Sequence, residues 1–352
     1  MKVLIIYDKK NPHQAIRMIM GVQACGPSIE LDIIDDPLRC NTTYISQNYD
    51  YILVEASVDT DLSFLKKKTD KIILFDTEDK PSWFNPKLGY ESLKDKALAY
   101  AKYNYQGTVN RDGLQFIGAP QIDYINKGMS LAKACSSFIY NNNITAHIFF
   151  ICGPTYMTDY TPLNKISKFN NVTPIVKRPP GTGLPQETDW LYNQRLEWME
   201  DISNSKSLKI LDMGFHFNTD IHRKDPLSIE YHTDLFGKVE RYSAKFYDTT
   251  SYYTGFLRCE VGLCPAGVAR SSYRLIELMA LGRTIISTNT EGYKYLYNPI
   301  VIYEVPDETN VVNHIFPFIN NQKLLEYNRP NHEIFLNLTP EKMWTDFISQ
   351  IK

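Results

Sequence analysis

The chain has 352 residues, 43% of them hydrophobic, and a formal net charge of −2. That length exceeds one ordinary core and suits two domains. The near-neutral balance excludes a general electrostatic pull toward nucleic acid or anionic membrane, so any such surface has to be a local patch. No apolar run reaches the roughly 20 residues of a membrane-spanning helix.

The six cysteines (Cys25, Cys40, Cys135, Cys152, Cys259 and Cys264) are scattered, which predicts reduced thiols and a cytoplasmic protein, in host cytoplasm if viral. The opening run Met1 to Asp8 is short and ends in charge, so it reads as a first strand and not a signal peptide. Strands are predicted at Lys2–Tyr7, Ile29–Ile34, Tyr49–Glu55, Lys71–Asp76, Leu114–Gly118 and Thr145–Ile151. Helices fall near Gln14–Gln23 and Lys127–Tyr140, with a short basic crossover at Leu62–Lys68. Alternating strands and helices predict a doubly wound parallel sheet.

Residues 153–190 are rich in Pro, Gly, Thr and Asn, and the interdomain hinge is expected there. The expected domains are 1–170 and 171–352. A second alternating series follows: a helix at Trp190–Ile202, a strand at Leu208–Met213, a helix at Ser272–Leu281, strands at Thr284–Ser287 and Pro299–Val305, and a helix around Val311–Asn320. The amphipathic stretch Thr339–Lys352 closes the chain and is expected to cross back to the first domain.

The segment Cys264–Gly282 carries the most chemistry. A small-residue loop with Gly267 and Ser271 leads into the mostly apolar helix at Ser272–Leu281, where Ser272 and Tyr273 are donor-side candidates and Arg274 and Glu277 lie three residues apart. That spacing puts both on one helix face. A helix start offers free N–H groups and a positive dipole end, which suit phosphate. Arg274 adds a forked cationic contact, and Glu277 has two oxygens for ribose hydroxyls. The pattern therefore suits a nucleotide diphosphate held without metal. The bland alternative is a buried helix with a surface Arg–Glu pair.

In the first domain, Leu74-Phe75 runs into Asp76, Glu78 and Asp79, followed by Pro81 and Trp83. A carboxylate there can take a proton from an acceptor hydroxyl, or simply sit in a solvated acidic loop. His13, after the first strand, is an acceptor-side candidate. Gly214, His216, Arg223 and Lys224 follow the strand at 208–213 and are candidates for phosphate contact. Asn289, Thr290 and Glu291 are positional candidates for the sugar. His216 and His222 lie six apart, the wrong spacing for one helical face, and Cys259 and Cys264 lack a second pair at zinc spacing. No metal and no resident cofactor are expected.

The Cys264-Pro265-x-Gly267 to Ser272-x-Arg274-x-x-Glu277 run resembles the donor helix of GT-B glycosyltransferases, exostosin-type enzymes especially. The strands Asn48–Val54 and Leu74-Phe75-Asp76-Thr77 also resemble the phage DNA β-glucosyltransferases, with the acid and threonine in swapped order. The resemblance implies two Rossmann-like domains facing a cleft. It implies a UDP-sugar donor, inversion, and Asp76 as base with Glu78 and Asp79 eligible. The acceptor it implies is a 5-hydroxymethylpyrimidine in duplex DNA, or a glycan or protein on the exostosin side. Lys66–Lys68, Lys94 with Lys96 and Lys102, and Lys165 with Lys168, Lys177 and Arg178 are the groups available to a DNA track. A nucleotide-sugar epimerase and a non-catalytic binding protein are the competing classes.

Overall fold

The structure, a computed structural model, describes residues 1–10, 12–40, 48–67, 71–76, 87–103, 112–139, 144–152, 195, 197–215, 249–265, 273–287, 302–304, 310–319 and 321–351. Two parallel sheets organise it. The first runs in the order β2-β1-β3-β4-β5-β6, with strands at Lys2–Ile6, Glu30–Ile34, Tyr51–Glu55, Ile72–Asp76, Ala99–Lys102 and Phe116–Gly118 for β1 to β6. The second runs β11-β10-β9-β7-β8, with strands at Ala146–Cys152, Ile210–Phe215, Cys259–Cys264, Thr284–Ser287 and Ile302–Glu304 for β7 to β11.

The strand sequences explain this burial. β4 is apolar up to its last residue because both faces are covered: Ile72 and Leu74 enter one core while Ile73 and Phe75 enter another. Helices among the described residues include α1 (Pro12–Ala24), α2 (Leu88–Leu93), α3 (Ile122–Ile139), α4 (Thr249–Leu257), α5 (Tyr273–Ala280), α6 (Val311–Ile315), α7 (Gln322–Asn337) and α8 (Pro340–Ser349).

One expectation is overturned. The strand at 145–151 was expected in the first series, yet β7 pairs with β8 and β9 in the second sheet. Alternation of strands and helices does not say which sheet a strand joins. Here α3 carries the chain from the first sheet to the second, packing against α1, α5, α7 and α8. Gly128 makes this possible, since a Cβ there would stand 2.7 Å from Ile276 Cγ2 and 2.5 Å from Phe335 Cε1. The resulting core is continuous, joining Val3, Ile5 and Phe75 to Phe149, Leu275 and Trp344. The expected hinge at 153–190 and boundary at 170 lie outside the described residues.

The last helix starts on a Thr339 cap, whose side chain accepts from Lys342 N at 3.1 Å, with Pro340 in the first turn. It packs on α1 and α3, and Trp344 Nε1 donates to Met1 Sδ at 3.1 Å. Gln115 Nε2 reaches Gln350 O at 3.4 Å. The two ends of the chain are thus joined on the first domain.

Candidate active site

Each sheet reverses its building direction once. In the first, β2 lies on one side of β1 and β3 on the other. In the second, β8 lies on one side of β7 and β9 on the other. Ligands of open α/β sheets bind at the carboxyl ends of strands, in the crevice where that reversal occurs. The question is which side chains stand at those two places.

In the second sheet the answer is α5. It leaves the carboxyl end of β9 and packs on β9, β10, α3 and α7, burying Leu275, Ile276, Leu278 and Met279. Gly262 of β9 lies beneath Leu278, and any Cβ there would collide with that side chain. The helix stops at Gly282, with φ of 59°. Gly282 N donates to Met279 O at 2.9 Å and Arg283 N to Leu278 O at 3.1 Å, a paired closure that needs a left-handed residue. Arg283 is buried and donates to Leu281 O (3.0 Å) and Cys259 O (3.1 Å), tying the helix end to the start of β9.

Arg274 and Glu277 lie on the same helix but are not solvent-exposed. Arg274 Nη2 donates to Tyr252 OH at 3.3 Å, and Tyr253 OH donates to Glu277 Oε1 at 2.7 Å. Glu277 is only 6% exposed. Burial pushes its carboxyl up to about 6, against the Tyr253 hydrogen bond and the Arg274 charge. Burial also raises the Cys152 thiol, while Arg195 and Arg274 pull it back. Cys152 ends β7 and Cys264 ends β9. Both act on Arg274, whose proton affinity burial lowers and Tyr252, these thiols and Glu277 raise, for a net increase. The guanidinium therefore sits by the ends of the two strands that flank the switch point.

In the first sheet, Asp76 ends β4 and is 5% exposed. Its Oδ2 accepts from Lys102 Nζ at 2.7 Å and from Tyr100 OH at 3.0 Å. Sequence reasoning missed both partners, because β5 (Ala-Tyr-Ala-Lys) lacks the β-branched run that signals a strand. Glu55 is a second buried acid, which the sequence analysis did not single out. It ends β3 at the switch point, is 1% exposed, and accepts from Ser57 N at 2.9 Å and Ser57 Oγ at 2.5 Å. In the sequence it is only the acid that closes an apolar strand; its burial is a tertiary fact.

The remaining candidates divide plainly. His13 is the second residue of α1, near the carboxyl end of β1; its side chain and that of Tyr273 lie outside the description. Gly214, placed after the strand expected at Leu208–Met213, lies within β8 opposite Ile151, because that strand starts later and ends at Phe215. Glu78, Asp79, His216, Arg223, Lys224, Gly267, Ser271, Ser272, Asn289, Thr290 and Glu291 lie outside the described residues. Of the lysines, Lys66 is paired with Asp95, and Lys94 with Glu91 at 2.8 Å and Asp112 at 3.6 Å. Lys102 is buried on Asp76. Among the described residues no group of three or more His, Cys, Asp or Glu is arranged for a metal, and no helix is long and apolar enough to cross a membrane.

The whole chain superposes on solved glycosyltransferase structures. A glycosyltransferase from Rickettsia africae matches with TM-score 0.52 and 12% identity, over 100% of this chain and 98% of that one. The Anabaena HepE protein, solved with UDP and glucose, matches with TM-score 0.50 and 11% identity, over 99% and 100%. The chain has the GT-B fold. The two switch points are therefore those of the two Rossmann-like domains of a GT-B protein. A DNA-modifying β-glucosyltransferase, solved with and without UDP-glucose, overlaps less well, with TM-score 0.42 and 13% identity over 99% of this chain and 98% of that one. That overlap is too loose to bear on the acceptor of this GT-B chain. No protein-family model and no curated protein matches the sequence.

Proposed function

We propose that the chain transfers a sugar from a UDP-sugar to an acceptor hydroxyl. One observation carries this: a guanidinium and a carboxylate, three residues apart on α5, are held beside the ends of β7 and β9. In the proposed reaction the α5 start and Arg274 take the diphosphate, while Glu277 accepts from the ribose hydroxyls. As the anomeric bond breaks, negative charge grows on the departing diphosphate. A preformed cation at that place lowers the barrier because it need not reorganise. The HepE complex with UDP supports the choice of nucleotide.

The acceptor proton passes to a carboxylate at the end of β4 or just beyond it, with inversion at the sugar carbon. Asp76, Glu78 and Asp79 make up the set. Because Lys102 and Tyr100 both occupy Asp76 Oδ2, Asp76 anchors the segment and Glu78 or Asp79 is the stronger base candidate.

For the acceptor, the sequence resemblance at Leu74-Phe75-Asp76-Thr77 supports a hydroxymethylated pyrimidine in duplex DNA. The pairing of Lys66 and Lys94 with acids favours a second reading, a neutral glycan of the exostosin type, since phosphate affinity draws on unpaired cations. Calorimetric titration with UDP tests the donor. Arg274→Ala and Glu277→Ala are each expected to weaken it by roughly 1–3 kcal/mol, as losing a hydrogen bond to a charged group does. Unchanged affinity in both variants refutes the donor assignment. Labelled transfer to hydroxymethylated duplex DNA and to neutral oligosaccharides then separates the acceptors.

A further inference from the structure

Arg274 and Glu277 leave α5 as neighbours, yet what orients them is another helix. Two adjacent residues of α4, Tyr252 and Tyr253, reach one each, at 3.3 and 2.7 Å. These tyrosines are held by an aromatic cluster. Tyr252 meets Phe256 edge-on with centroids 5.0 Å apart, and Phe149 of β7 at 6.2 Å. Tyr252 and Tyr253 meet each other at 5.4 Å. Gly255 lets this cluster close, since a Cβ there would lie 2.6 Å from the Phe149 ring. Packed tyrosines have few rotamers left to lose, so their hydroxyls are aimed before any ligand arrives.

We propose that Tyr252 and Tyr253 are positioning residues for the nucleotide site, Tyr253 fixing the Glu277 carboxylate and Tyr252 aiming the Arg274 guanidinium. This rests on the reading of α5 as the donor helix. Neither tyrosine need touch the ligand. A long acidic side chain and a long basic side chain otherwise have to be ordered on binding, which costs affinity.

The groups acting on Glu277 are Tyr253 of α4 and Arg274 of its own helix, with Tyr252 beside Arg274. Cys152 of β7 and Cys264 of β9 bear on Arg274 in turn. The ionised carboxylate is the form that accepts from ribose hydroxyls. Burial lifts Glu277 to about 6, so UDP affinity is expected to fall as pH drops through that value. Removing the Tyr253 hydroxyl removes a contact that favours the carboxylate, so the midpoint moves up.

The test is calorimetric titration of UDP into wild type, Tyr253→Phe, Tyr252→Phe and Glu277→Gln from about pH 5 to about pH 8, the span in which a raised carboxyl titrates. Tyr253→Phe is expected to lose roughly tenfold in affinity at neutral pH and to shift the midpoint upward. Glu277→Gln is expected to remove the Glu277 part of that dependence, leaving the part set by the terminal phosphate of UDP, whose second ionisation lies at about 6. Tyr252→Phe is expected to lose affinity with the midpoint unmoved, and it answers the question if Tyr253→Phe does not fold. UDP binding by wild type that is matched in affinity and midpoint by the phenylalanine variants overturns the positioning role alone. No UDP binding by wild type at any pH overturns the donor reading and the positioning role with it.

Discussion

Asp76 illustrates how a single carboxylate changes meaning once its neighbours are known. In the sequence it opens an acidic run after an apolar strand. In the fold it is buried, with one oxygen accepting from Lys102 and Tyr100. Truncating one partner of a buried ion pair leaves the other charge uncompensated, at a cost of roughly 3–5 kcal/mol. Asp76→Asn is therefore expected to lower the melting temperature and the turnover together. Glu78→Gln is expected to keep the melting temperature and lose turnover. Thermal denaturation alongside a donor-hydrolysis assay distinguishes the two, and a stable, inactive Asp76→Asn reverses the assignment. Glu55 makes the same point from the other side: its sequence neighbourhood, Ile-Leu-Val-Glu-Ala-Ser, reads only as a strand end.

Elements whose signals are local were legible. The β10 strand matches the expected Thr284–Ser287 to the residue. Helix α5 lies within the expected Ser272–Leu281, bounded by its glycine stop. The reason is that the Gly282 closure needs a positive φ, which only glycine adopts cheaply. Gly282→Ala is accordingly expected to cost about 1–2 kcal/mol, read as a drop in the urea midpoint without a change in slope. Elements without such punctuation were missed. Helix α7 contains Pro330 and a polar run, and a proline inside a pattern argues for a break. Helix α4 is Thr-Thr-Ser-Tyr-Tyr-Thr-Gly-Phe-Leu, a composition that favours strand or turn over helix. Packing of Tyr252, Tyr253 and Phe256 against the second sheet overrides that preference.

At the scale of the molecule, α3 is the joint. It contacts α1 of the first domain and α5 and α7 of the second, so α5 and the first domain share one core. Contact at Gly128 admits no side chain. Gly128→Ala is expected to destabilise the chain by roughly 1–3 kcal/mol through overpacking. Because Ile276 is one residue from Glu277, it is also expected to weaken UDP binding. Denaturation and UDP titration on the same preparation check both, and a stable variant with intact binding removes the coupling between α3 and α5.

What the sequence by itself determined is the class and the local chemistry. Apolar strands alternating with helices require parallel sheets buried on both faces, and an Arg and a Glu three apart on a helix must share a face. Only the tertiary structure decided which sheet β7 joins, that Lys102 and Tyr100 close on Asp76, and that two tyrosines hold the Arg–Glu pair. Those contacts join residues 20 or more positions apart, and at that separation the partner is selected by the packing of the core, which no local pattern encodes.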